Sequence, residues 1–167
     1  MWDKISHHFE DSPSKLKVAR LLVETGIRVD KKGRTYVGEI EIPATKIASA
    51  AHVDRRIVRE TAKAILDTEE LRNLFLSLRP AGPLIRDVAP YLGFGVVEIR
   101  AQPAAVGIIA KTTALISDSG ISIRQILAED PEIYPDPKLI VVTEKPIPGE
   151  LLHKLLRIPT VSKVSIS

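Results

Sequence analysis

Between Arg55 and Lys63 the cations Arg55, Arg56, Arg59 and Lys63 recur at offsets that set them on one side of a helix. A row of cations of this kind points to recognition, not covalent chemistry. A guanidinium is a planar fork of donors that matches two phosphate oxygens or the O6 and N7 of guanine. Lys46 and His52, a short way upstream, add groups that would meet a sugar–phosphate backbone. A second candidate site is built on a residue with no side chain. Gly107, followed by Ile108, stands where a strand pattern gives way to a helical one. Without a Cβ, a ligand can approach the chain closely, and the free N–H groups of a first helical turn hold a carboxylate such as that of an amino acid. Gln102, Val106, Ser122 and Arg124 are the candidates for its remaining contacts.

No other residues have the spacing of a catalytic or metal centre. There is no phosphate-binding lysine loop, no HExxH, no serine elbow and no nucleotide-binding glycine triplet after a strand. Cys is absent, which removes disulfides, thiolate chemistry and Cys-based zinc sites, and matches a reducing compartment. His7 and His8 are adjacent, and neighbours on a helix point apart. Glu129, Asp130, Glu132 and Asp136 gather in one segment without the turn glycine and spaced oxygens of a calcium loop. The expectation is a binding protein, not an enzyme, with no cofactor.

The elements that must hold the cations follow from periodicity. Ile47, Ala48 and Ala51 mark a short helix after Pro43, and residues 50–54 a tight turn. Asp54 can cap the next helix, whose buried face would be Ile57, Val58, Thr61, Ala62 and Ile65, opposite the cations. Two helices joined by a short turn, the second with a basic outer face, are what places a helix in a major groove. Residues 14–25 form a supporting helix through Leu16, Ala19, Leu22 and Val23, stopped by Gly26. Residues 27–34 read as an exposed turn in which Lys31-Lys32-Gly33-Arg34 forms a wing for phosphates. Residues 35–42 read as one alternating strand. Leu71, Leu74, Phe75 and Leu78 give a further helix with a packing or dimer face. Arg79-Pro80-Ala81-Gly82-Pro83 breaks the chain, leaving domain 1–80, a linker 81–94 with a short helix, and domain 95–167.

Beyond Gly95 the order is strand, helix, strand, strand, helix, strand. Val96, Val97 and Ile99 open it, and Ala105, Ile108, Ile109, Thr112, Leu115 and Ile116 follow at helical spacing. Residues 121–127 and 139–143 are strands. Leu151, Leu152, Leu155 and Leu156 mark the second helix, and Val161, Val164 and Ile166 the last strand. Two helices on one face of four strands would bury these residues in one layer, a ferredoxin-like βαββαβ fold. The class expected for the chain is α+β, with a helix-turn-helix domain followed by this sandwich.

Residues 106–111 (Val-Gly-Ile-Ile-Ala-Lys), the helix after them and Gly120-Ile121-Ser122-Ile123 resemble the ACT domain, a small module that senses amino acids. Gly149, near the start of the second helix, extends the likeness across 95–167. The family commonly has Asp and Pro where this chain has Ala104 and Val106, so the carboxylate that usually meets a ligand ammonium group is missing. Residues 45–48 and 53–61 look like helix-turn-helix units of archaeal and bacterial regulators. The two together resemble the archaeal proteins described as predicted regulators of amino-acid metabolism, with the closest match at 120–129 and 143–149. That resemblance implies a ligand-responsive transcriptional regulator whose partners are double-stranded DNA and an amino acid or similar effector. ACT modules usually meet side by side, which implies a homodimer or higher homo-oligomer. The alternatives are a regulatory subunit of an amino-acid biosynthetic enzyme and a structural dimer with a vestigial pocket.

Charge and hydropathy agree with this division. The net charge of +3 lies wholly in the first half, with 15 Lys and Arg against 12 Asp and Glu up to Pro80 and 9 against 9 beyond it. No apolar run has the length of a membrane span, and the first residues are charged where a signal peptide would be apolar, so the cytoplasm is the expected location and no membrane partner is expected.

Overall fold

Helical periodicity and well-placed breakers shape the first half of the chain. In the computed structural model, which describes residues 1–103 and 105–167, the chain divides into a unit Met1–Gly82 and a unit Pro83–Ser167. The first unit runs α1 (Trp2–His8), α2 (Pro13–Thr25), β1 (Arg28–Val29), β2 (Thr35–Val37), β3 (Ile40–Ile42), α3 (Ala44–Ala51), α4 (Arg55–Asp67) and α5 (Glu69–Ser77). Ile5, Val18, Leu22, Val29, Ile65, Leu71 and Phe75 are its most deeply buried large side chains. Pro13 opens α2, where a missing N–H costs nothing. Gly26 closes it in the left-handed region at φ +66°, and a Cβ there would stand 2.5 Å from Pro80 N.

Two expectations for this unit are corrected. Residues 27–34 are not an exposed turn throughout: Ile27 and Val29 are buried, and β1 pairs with β2 through Arg28–Tyr36 and Val29–Thr35. Only 30–34 turn, because Asp30 Oδ1 accepts from the N–H groups of Lys32 (2.8 Å) and Arg34 (2.9 Å). Residues 35–42 are not one strand either, since Gly38 at φ +56° reverses the chain and β2 and β3 pair antiparallel. Of the two readings for the apolar face of α5, packing accounts for Leu71 and Phe75, which are buried within the unit, while Leu74 and Leu78 are half-buried.

The Asp30 turn carries a pH dependence. Burial raises its carboxyl pKa, but the Arg34 and Lys32 N–H donors and the Arg34 guanidinium outweigh that, and the net shift is downward. A folded pKa below the unfolded one stabilises fully above the ordinary carboxylate range and is lost as pH falls through the folded value. Amide protection at Lys32 and Arg34 is therefore expected to fall in acid, and in Asp30→Asn that acid step should be absent. A step that persists unchanged in the variant contradicts the assignment.

The second unit runs β4 (Gly95–Ala101), α6 (Ile108–Asp118), β5 (Ile123–Ala128), β6 (Lys138–Thr143), α7 (Gly149–Leu156) and β7 (Val161–Ile166). The sheet order is β5-β6-β4-β7, every pair antiparallel. Each helix crosses over one intervening strand, β6 for α6 and β4 for α7, which is the interleaving a split βαβ pattern requires. Val97, Ile99, Leu139 and Val141 meet Ile116, Leu151 and Leu155 on the helical face.

The core is not one layer, as expected, but two. Val96, Ile140 and Val142 point to the other face and are covered by Ala89, with Ile85, Phe94 and Leu127 packed around them. Ala89 belongs to a short 3-10 turn, Ala89–Leu92. Gln125 ties this covering segment down, its Nε2 donating to Pro83 O (2.8 Å) and its Oε1 accepting from Ile85 N–H (3.0 Å). Most of the stretch 81–94 is therefore part of the second unit instead of a linker, because a sheet with apolar residues on both faces must be covered on both.

Candidate nucleic-acid interface and ligand cavity

Asp54 accounts for how the basic helix begins. Its Oδ1 accepts from Arg56 N–H at 2.7 Å, satisfying one of the donors that a first helical turn leaves open. The preceding helix α3 ends on His52 in the left-handed region (φ +54°), and Val53 N–H returns to Ala48 O at 3.0 Å. The connection is thus His52-Val53-Asp54. Ile47, Ala48 and Ala51 of α3 and Val58, Thr61, Ala62 and Ile65 of α4 are buried, while Ile57 is only partly so.

At about 100° per residue, Arg55, Arg59, Lys63 and Arg56 span about 100° of arc outside that buried face. All four are exposed, as are Lys46 and His52. They are not equivalent. Arg56 Nε binds Glu60 Oε1 at 2.8 Å, and Lys15 reaches the same carboxylate at 3.7 Å. Arg55, Arg59 and Lys63 have no side-chain ion pair among the described residues and form one row along α4. Of the wing residues, Arg34 is held by Asp30 (2.8 Å) and by Glu41 (3.7 Å), which leaves Lys31 and Lys32 as the cations of the turn. That turn and α4 line one cleft of about 530 Å³, shared by Lys31, Lys32, Arg59 and Lys63. Sequence spacing alone did not join the turn to the helix; the hairpin at Gly38 brings them together.

The second unit separates the residues expected at its ligand site. The helix expected from Ala105 begins at Ile108, and Gly107 precedes it at φ +84°. A Cβ on Gly107 would meet only Lys111 Cε, at 3.9 Å, so the backbone conformation, not crowding, demands glycine there. Val106 is 93% exposed beside it. Ala104, the position of the missing carboxylate, lies outside the described residues. Gln102 and Ile108 line a cavity of about 150 Å³ together with Ala128, Glu129 and Lys138. Glu129 Oε2 there accepts from Lys138 N–H at 3.0 Å.

Ser122 and Arg124 are elsewhere. Ser122 lines a separate groove with Ala114 and Ser117, and its N–H donates to Glu144 Oε1 at 3.2 Å. The Arg124 guanidinium lies 5.3 Å from the Phe94 ring centroid, on the face away from the helices. The crossover explains the separation. Because α6 runs back along the sheet, the end of β5, not its start, returns to the level of Gly107. Glu129 and Lys138 are the polar neighbours that sequence reasoning missed, and the direction of the crossover was the signal that would have found them.

The acidic segment is structural: Asp136 pairs with Arg100 at 2.9 Å, and Asp130 Oδ1 accepts from Glu132 N–H at 2.9 Å. No described group of His, Asp and Glu is arranged to hold a metal ion, and no described helix is long and apolar enough to cross a membrane. Comparison with known families and with curated proteins returns no match.

Proposed function

We propose that the chain is a ligand-responsive DNA-binding regulator of amino-acid metabolism, working as a cytoplasmic homodimer. In this reading α3 and α4 are a helix-turn-helix, and the second unit is a ferredoxin-like, ACT-like sensor of a small amino acid or carboxylate. The observation that carries it is the row Arg55, Arg59 and Lys63, exposed and without a side-chain ion pair among the described residues, on a helix capped directly after a short turn. A helix so placed offers free cations to phosphates and base edges. Self-association has a candidate surface in β5, an edge strand whose Ile126 is 40% exposed beside the small residues Ala110 and Ala114 of α6.

The cavity, about 150 Å³ and open to solvent, has room for a small effector. Backbone N–H groups of Gly107 and Ile108 would take its carboxylate, and Gln102 and Glu129 its polar remainder. A thermal-shift screen with the twenty amino acids is expected to find a stabilising ligand, since binding the native state raises stability by mass action. Gln102→Ala, which removes a side chain lining the cavity and introduces no backbone strain, should abolish the shift. The same ligand should change duplex affinity by about 5- to 150-fold, and duplex should change ligand affinity by the same factor. No stabilising amino acid, or identical dissociation constants with and without duplex, contradicts a sensing role.

A further inference from the structure

We propose that the cleft between the β1–β2 turn and α4 binds a small organic phosphate, meaning a group with an aromatic or apolar face, such as a nucleoside, carrying one or more phosphates. Its volume of about 530 Å³ falls within the range of small-molecule sites, about 300–1,000 Å³. Its mouth carries Lys31, Lys32, Arg59 and Lys63, all exposed and none with a side-chain ion pair among the described residues. Of the acidic residues in the lining, Glu41 already faces Arg34 at 3.7 Å, and Asp67 alone opposes the four cations.

The interior is of a different character. Ile42, Val58 and Leu66 line it, and Gly33 lies over α4, where a Cβ would be in ordinary contact with Ala62 Cβ and Leu66 Cδ1 at 3.9 Å. A duplex backbone presents phosphates and sugar but nothing apolar to fill such a recess. A phosphate ester with an apolar portion satisfies both surfaces at once, its charge on the lysines and its body against Ile42, Val58 and Leu66. Because Arg59 and Lys63 also belong to the outer row of α4, an occupant of the cleft competes with duplex for the same cations. The cleft stands without the DNA-binding reading; only this competition rests on it.

Isothermal titration of the full chain with ADP, inorganic pyrophosphate and adenosine, without DNA, tests the site. ADP is expected to bind at a single class of site, with pyrophosphate and adenosine each about tenfold weaker or more. Lys32→Gln and Lys63→Gln together should weaken ADP by about tenfold or more, the loss expected when charge-assisted hydrogen bonds are removed. Lys17→Gln, an exposed cation on α2, should leave ADP affinity unchanged. Absence of ADP binding, or equal affinity in the wild type and the Lys32→Gln/Lys63→Gln variant, overturns the proposal. In a second arm ADP should displace labelled duplex. A chain that binds ADP in the cleft but no duplex upholds this site and removes the DNA-binding reading, whereas one that binds duplex but no ADP does the reverse.

Discussion

Replacing Arg59 and Lys63 together by Gln is expected to lower duplex affinity about 10- to 100-fold near 0.1 M salt and to flatten the salt dependence by nearly two units. Each cation that neutralises a phosphate releases condensed counterions and adds about 0.9 to the slope of log affinity against log salt. Both side chains are exposed and unpaired among the described residues, so the substitution removes no contact that holds the fold. The melting temperature should stay within a degree or two. Arg56→Gln is the contrasting case: its guanidinium is already on Glu60, so its loss should change the slope by less than that of Lys63. Filter binding or fluorescence anisotropy across a salt series measures all of these. An unchanged slope in the double variant means that this row does not touch DNA.

Gly26→Ala is expected to be the most destabilising single methyl in the first unit. The residue closes α2 at φ +66°, a region that costs an L-residue about 1–2 kcal/mol. The added Cβ would also stand 2.5 Å from Pro80 N and 2.6 Å from Pro80 Cα, and these backbone atoms cannot rotate out of the way. Adding the typical penalty for overpacking gives about 2–5 kcal/mol. For a domain of this size each kcal/mol lowers the melting temperature by about 4–8 °C, so the first unit should melt about 8–40 °C lower. Gly38→Ala is the control, since it has positive φ (+56°) with nothing within 4 Å of the added methyl, and should cost only the conformational part. Equal losses at the two positions would contradict the close approach of Pro80.

The two sites were legible to different degrees. Arg55, Arg59 and Lys63 were readable because a helical period assigns faces directly, and Asp54 because a capping residue acts on its immediate neighbours. The β1–β2 turn was read as a wing, yet its place beside α4 was not, since Gly38 acts by reversing the chain and the consequence is not local. In the second unit the strand and helix order was visible in periodicity. The second core layer was hidden in plain sight: Leu139-Ile140-Val141-Val142 has no polar alternation, which signals burial on both faces, but Ile85, Ala89 and Phe94 lie in a Pro-rich stretch that reads as a connection. Ser122 and Arg124, the polar contacts expected beside Gly107, lie at the start of β5 or just before it. The antiparallel run of α6 undoes that grouping and substitutes Glu129 and Lys138.

Selection of duplexes from a random library by the full chain tests the DNA-binding claim most directly. A dimer that presents two copies of α4 should enrich a near-palindrome whose half-sites lie about 34 Å, one helical turn, or a multiple of it apart. The same selection with Arg55→Ala should return a relaxed consensus, because base-edge contacts carry the discrimination. A library that emerges without any enriched sequence, from a chain that is folded and at working concentration, would contradict a sequence-reading helix and favour the N-terminal unit as a protein-interaction domain of an enzyme's regulatory subunit.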